Sequence, residues 1–233
     1  LRDTLNRETN KEVLKRIKAL GYDGVEFAGF YQTPASEMHT LLEQFGLSAV
    51  ASHTSIHELL HSFDDLVLYN KTIGNSNIVI PYVDIKDQTS YEQFLPLMKQ
   101  LVNQLTKAGM NVFYHNHAHE FVKFDDQFIL DHLLDDIPSL KLEFDVFWAV
   151  FAGVDPYAYI IKRQDRTRLL HAKDMDIVDG KKEFASVGHG VIDFKLINEL
   201  STNIDCWIVE NDLPKDGGFK TIEESIIYIK QIL

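Results

Sequence analysis

A single cysteine, Cys206, is all the thiol this chain carries. It cannot close an internal disulfide, and its place at the start of an apolar run marks a small buried hydrophobe rather than a reactive thiol. A reducing, cytoplasmic setting is the expectation. Positive charge is also scarce: 23 Lys and Arg against 35 Asp and Glu leave a net charge of −12. That balance argues against a nucleic-acid backbone or an anionic membrane as partner. A small anionic substrate stays compatible, because a bound metal reverses the local sign. No apolar run approaches the roughly 18 residues of a spanning helix, and no signal peptide is visible. No Arg cluster or phosphate-cradling glycine loop stands out, which points away from a phosphorylated substrate.

What is present is an alternation. Hydrophobic residues make up 45% of 233 positions, enough for a substantial core. Short β-rich runs read as strands at Gly24–Phe27, Leu47–Ser52, Asn77–Val83, Asn111–His115, Leu140–Val146, Arg168–His171 and Cys206–Glu210. Most are continuous apolar runs, as expected of parallel strands buried on both faces. Helical stripes lie between them: Glu12–Leu20 stopped by Gly21, Ser36–Phe45 by Gly46, and Ser90–Ala108 by Gly109, with Thr89 or Ser90 as N-cap. Others run near Ile56–Ile73, Asp126–Leu134, Pro156–Ile161, Asp193–Leu200 and Ile222–Ile232. No linker or composition shift divides the chain, so one domain over residues 1–233 is expected. One βα unit per strand suggests a TIM (β/α)₈ barrel. The chain enters a helix directly, so the first strand is expected to lie ahead of Leu1. A doubly wound sheet competes, but its G-x-G-x-x-G is absent. An unclosed barrel exposes strand edges, which leaves a homo-oligomer open.

The stretch Tyr114-His115-Asn116-His117-Ala118-His119-Glu120-Phe121 ends a strand in imidazoles and a carboxylate. Borderline metals such as Zn²⁺ or Mn²⁺ take these donors. In a barrel, functional groups gather at the C-terminal strand ends. All but one of the strand candidates deliver an ionisable residue there: Glu26, His53, His115 with His117 and Glu120, Asp145, His171 and Glu210. Singly, each is weaker. Glu120 alone reads as a surface carboxylate, whereas His171 alone reads first as a site residue and second as a satisfied core histidine. Asp145 and Glu210 sit in apolar strands, where an isolated carboxylate needs a cation or strong donors. Glu143 shares the face of Asp145 and reads as support for the site. Phe147-Trp148 reads as an apolar pocket wall or as core. His39, His57, His61 and His132 read as surface or packing residues, His119 as exposed beside the site, and His189 as a loop residue.

Gly21-Tyr22-Asp23-Gly24-Val25-Glu26, the Tyr114–Phe121 stretch, Asp145-Val146-Phe147-Trp148, Gly153-Val154-Asp155-Pro156, His171-Ala172-Lys173-Asp174 and Val187-Gly188-His189-Gly190 carry a family resemblance. The chain resembles the sugar phosphate isomerase/epimerase group with the xylose isomerase-like TIM barrel, over nearly its whole length. The N-H-x-x-E-F and H-x-K-D elements are specific to the superfamily and specify no substrate. The resemblance implies one divalent metal ion (Mn, Zn, Co or Mg) held by Glu, Asp, His and Glu. Asp145, His171 and Glu210 carry over. The first Glu of relatives falls at His115, so either His115 takes that site or Glu120 reaches it from the loop; Glu120 is favoured because it keeps the ligand charge.

The resemblance further implies proton transfer next to a carbonyl through a metal-stabilised enediolate, with Glu120 and Glu210 as base and acid. His117 and Lys173 would bind substrate oxygens, Glu26 and His53 would read distal hydroxyls, and His115 and Trp148 would complete the substrate pocket. An isomerase or epimerase of a sugar or keto-sugar is the first reading. A lyase or dehydratase on an oxidised sugar or cyclitol is the second, and a barrel that binds sugar or metal without turnover the third. A DNA-repair nuclease would need basic DNA-facing loops, which the charge opposes.

Overall fold

The computed structural model describes residues 1–5 and 8–233. Its centre is one parallel sheet of seven strands in chain order: β1 Gly24–Phe27, β2 Ser48–His53, β3 Asn77–Ile80, β4 Asn111–His115, β5 Lys141–Asp145, β6 Thr167–Ala172 and β7 Cys206–Val209. The sheet curls into a nearly closed barrel, consistent with a TIM barrel missing a strand. Among the described residues β1 and β7 do not pair. A cavity of about 1230 Å³ lies there, lined from both edges by Val25, Glu26, Cys206, Ile208 and Glu210.

Strand alternation sorts the side chains. Outward, Ile78, Ile80, Val112, Tyr114, Leu142, Phe144 and Leu170 pack into the main core with the helices. Inward, Ala51, Val79, Phe113 and Leu169 fill one apolar layer of the barrel. The next inward positions along β2, β4, β5 and β6 are His53, His115, Glu143–Asp145 and His171. Parallel register sets them side by side, with His115 opposite Glu143 and Asp145 opposite His171. The site is thus the layer directly above the apolar plug.

Several boundaries differ from the sequence reading for local reasons. The strand expected to reach Val83 ends at Ile80, because Pro81 cannot donate to the ladder. The helix expected over Ile56–Ile73 is two helices, Ile56–His61 and Phe63–Thr72, broken at Ser62. Asp87, not Thr89 or Ser90, caps the long helix Gln88–Lys107 in a capping box with Ser90. The helix expected from Asp126 starts at Ile129, because Asp125 and Asp126 take left-handed φ of 49° and 60° and turn a short hairpin. A second hairpin, Asp174–Val178 with Lys181–Ala185, follows β6 around Asp179-Gly180. The chain after Asp145 forms a helix, Val146–Phe151.

Candidate metal and proton-transfer site

Glu143 occupies an inward position of β5 and is completely buried. Its Oε1 hydrogen-bonds His53 Nε2 at 2.8 Å and lies 3.1 Å from His115 Nδ1 and 3.0 Å from His171 Nε2. One oxygen therefore faces rings from three strands. Glu26 closes this tier from β1, with Oε2 2.9 Å from His171 Nε2 and 3.2 Å from His53 Nε2.

A second tier lies on the other side of the same rings. His171 Nδ1 meets Glu210 Oε2 at 3.0 Å, and Asp145 Oδ2 lies 3.8 and 3.9 Å from His171 Nδ1 and His115 Nε2. Lys173 is buried among carboxylates: its Nζ is 2.7 Å from Glu210, 3.0 Å from Asp212 and 3.1 Å from Asp145. Asp145 is fixed by its neighbours. Its backbone N–H donates to Asn116 Oδ1 at 2.9 Å, and its Oδ1 accepts the Trp148 N–H at 3.1 Å, capping the following helix.

Glu120 is placed elsewhere. Its carboxylate accepts the Tyr114 hydroxyl at 2.7 Å and the His117 N–H at 2.8 Å, and it lies 3.2 Å from His119 Nε2. It belongs to neither histidine–carboxylate group. The expectation that Glu120 reaches the site thus differs from its position, because a local turn satisfies both of its oxygens; His115 stands in the cluster instead. His117 and Trp148 flank the second tier, with ring centroids 5.4 Å apart, and the buried His117 Nδ1 and Trp148 Nε1 have no hydrogen-bond partner among the described residues. Lys173 lies over Trp148 and over Phe184 of the second hairpin, which stacks on Phe147. His119, expected exposed, is partly buried and bonds the Val83 carbonyl at 2.8 Å.

The electrostatics follow from burial opposed by close charges. Burial works against a protonated His53, but the Glu26 and Glu143 carboxylates outweigh it and raise its pKa to about 10. His171 is raised in the same contest by Glu143, Glu26 and Glu210. Glu143 and Glu210 are held well below the usual carboxylate range, against burial, by the facing rings and, for Glu210, by Lys173. His117 has no such partner: burial, then His115 and Lys173, push it down to about 3, so it is neutral at physiological pH. Burial raises Glu120.

His115, Asp145, His171 and Glu210 each offer an atom within 4.8 Å of the others. Two imidazoles and two carboxylates are a donor set that Zn²⁺ or Mn²⁺ accepts. Asp145 Oδ2 is buried without a hydrogen bond, although Lys173 lies near it, so an acceptor is left facing the group. The residues fit one divalent ion. His53, His115, Glu143 and His171 form an adjoining group that shares both rings.

The family model for the xylose isomerase-like TIM barrel matches residues 14–232. The chain belongs to that family. Among curated relatives, the inosose dehydratase of Lacticaseibacillus casei is 27% identical over 150 residues, 56% of this chain; the chain spans about half (50%) of that relative's length. The inosose dehydratase of Geobacillus thermodenitrificans is 23% identical over 86% of this chain and 81% of its own. A crystal structure of a sugar phosphate isomerase/epimerase from Parabacteroides distasonis superposes with a TM-score of 0.82 at 21% identity, covering 98% of this chain and 94% of that one. These relatives of the xylose isomerase-like barrel are named as enzymes, and their names differ in reaction type.

Asp212 joins the site without having been singled out from sequence. It stands two residues after Glu210, and an N-D-L-P loop gives a free reader no reason to prefer it over a solvated carboxylate. Trp148 and Phe147, read equally as wall or core, divide: Phe147 is buried, and Trp148 is half-buried between the core and the His117 and Lys173 side chains.

Proposed function

We propose that this protein is a divalent-metal-dependent isomerase of a sugar or keto-sugar that moves a proton next to a carbonyl. His115, Asp145, His171 and Glu210 would hold the metal, with His115 in the place first expected for Glu120. A bound divalent ion would supply Lewis acidity toward the carbonyl and its neighbouring hydroxyl. The observation that carries the reading is the unequal exposure of the carboxylates. Glu143, Asp145 and Glu120 are closed to solvent, whereas Glu210 keeps 31% of its side chain open. Of the carboxylates in the two histidine groups, Glu210 is therefore the one a substrate carbon can approach, and His171 and Lys173 keep it ionised and so able to accept a proton. Lys173 beside it would favour an oxygen that gains negative charge. Neutral His117 and the Trp148 indole N–H would hydrogen-bond substrate oxygens, and Glu26 and His53 would read distal hydroxyls.

With Glu120 turned to Tyr114, Glu210 is the one open carboxylate of the two histidine groups, and Asp212, open beside it, is tied to Lys173 at 3.0 Å rather than set across the sugar. A single base returns a proton on one face, which suits isomerisation better than epimerisation. The same base suits a dehydration, the second reading, which the two inosose dehydratase relatives favour. Incubation with keto-sugars and keto-cyclitols in D₂O tests both. Isomerisation places deuterium next to the carbonyl with no loss of water; dehydration gives a conjugated enone. No exchange at any substrate α-carbon, with metal bound, would leave the non-catalytic binding barrel.

A further inference from the structure

We infer that Glu143 is a positioning residue that fixes which nitrogen of His115 and of His171 is free to face a metal. This rests on the ligand set proposed above. The geometry separates the two nitrogens of each ring. His115 turns Nδ1, which has no aligned hydrogen bond among the described residues, to Glu143 in a 3.1 Å ion-pair contact, and Nε2 toward Asp145. His171 turns Nε2 to Glu143 at 3.0 Å and Nδ1 toward Asp145 and Glu210. The two rings use opposite nitrogens, and one carboxylate oxygen meets the metal-remote nitrogen of both.

A carboxylate can only accept, so Glu143 selects an N–H at each nitrogen it faces; the opposite nitrogen, which on His171 meets Glu210, is then the one that would give its lone pair to an ion. Such outer partners raise the basicity of a ligating imidazole and hold its plane. Glu26 shares His171 Nε2 at 2.9 Å and meets His53, but among the described residues it forms no ion pair with His115, so Glu143 is the carboxylate that reaches both rings. His53 completes the arrangement by hydrogen-bonding the same Oε1 at 2.8 Å, which pins the carboxylate between the strands. The position explains why an inward barrel site, opposite Leu169 in register, carries a carboxylate at all: three imidazoles face it.

Two measurements test this. In wild-type, metal-free protein with ¹⁵N-labelled histidine, the Nδ1–H of His115 and the Nε2–H of His171 should appear as downfield, slowly exchanging protons. A His115 protonated at Nε2 alone, or a His171 without an Nε2–H, overturns the inference whatever any variant does. Mn²⁺ and Zn²⁺ affinities are then compared for wild type, Glu143→Gln, Glu143→Asp and Asp145→Ala by chelator competition. Glu143→Gln should weaken binding by about 10- to 100-fold and lose or shift both imidazole signals, while Glu143→Asp recovers part of each. If Asp145→Ala abolishes binding and Glu143→Gln leaves affinity and both signals unchanged, only the positioning role fails. If wild type binds neither ion, the metal reading fails, and the two imidazole protons alone decide whether Glu143 sets the rings.

Discussion

The Lys173 ammonium lies 2.7 Å from the Glu210 carboxylate, and of the two only the glutamate is open to solvent. A buried cation against an open carboxylate keeps that carboxylate ionised and aimed. Glu210→Gln retains the shape and removes the base. Substrate α-proton exchange should fall by about 10²- to 10⁴-fold, with the fold intact by circular dichroism. Exchange at the wild-type rate in a metal-loaded variant would move the base elsewhere.

Asp145 combines an Oδ2 turned toward the His115 and His171 rings with an Oδ1 that caps helix Val146–Phe151. The two tasks separate by substitution. Asp145→Asn keeps a good cap but loses the charge, so elemental analysis should show metal content well below that of wild type, and its loss of stability in EDTA measures the buried pair with Lys173. Asp145→Ala should lose the metal and a further ~1 kcal/mol from the cap, read by urea denaturation. Full metal content in both variants would remove Asp145 from the ligand set.

The barrel was legible because its signals are local and repeated. Apolar runs such as Val112-Phe113-Tyr114 punctuated by helices that stop at Gly21, Gly46 and Gly109 need no tertiary knowledge. The rim residues followed from one rule about strand ends. What stayed hidden was direction. Glu120 and His115 stand five residues apart, and which one enters the cluster depends on a turn closed by Tyr114 and the His117 N–H. Glu143 was visible as a neighbour of Asp145, but its contact with three rings from three strands is a property of register. The hairpin Asp174–Ala185 did carry a signal, Asp179-Gly180 between β-rich runs; the strand-to-helix rhythm of the barrel masked it.

Asp174 shows how the loop after that hairpin is held. Its buried carboxylate accepts the N–H groups of Met175, Gly188, Gly190 and Ile192. A Cβ at Gly190 would meet the Met175 carbonyl at 2.3 Å and Asp174 Oδ1 at 2.4 Å, so only glycine lets the chain approach this closely. Asp174→Ala leaves those donors unpaired and should cost about 2–4 kcal/mol. Denaturant midpoints check the cost, and hydrogen exchange should show protection lost at residues 188–192. Unchanged exchange there would mean that the loop is held by its flanking packing alone.

Lys173 is the cation nearest Asp145, Glu210 and Asp212. Lys173→Met removes it and leaves buried charge uncompensated, a change that typically costs about 3–5 kcal/mol. The metal-free variant should unfold earlier in urea by that order, and added Mn²⁺ or Zn²⁺ should restore part of the loss by binding the folded state. A variant as stable as wild type in EDTA would show that water reaches these carboxylates.

His53 gives the pH dependence its sign. Its ring faces Glu26 and Glu143, with the His115 and His171 rings beside it. The carboxylates overcome burial and raise its pKa from 6.5 to about 10 in the folded protein. Between those values the folded chain keeps a proton that the unfolded chain releases, so the unfolded state binds fewer protons and stability falls as pH rises. The contribution is full below about 6.5 and disappears as pH climbs through about 10. His53→Gln keeps a donor for Glu143 but cannot titrate, so its stability should decline less over that interval. Denaturant midpoints of both proteins in EDTA, taken in steps from neutral pH upward, read the difference directly. Parallel curves would mean that His53 is already neutral in the folded barrel, with Glu143 ionised only through His115 and His171.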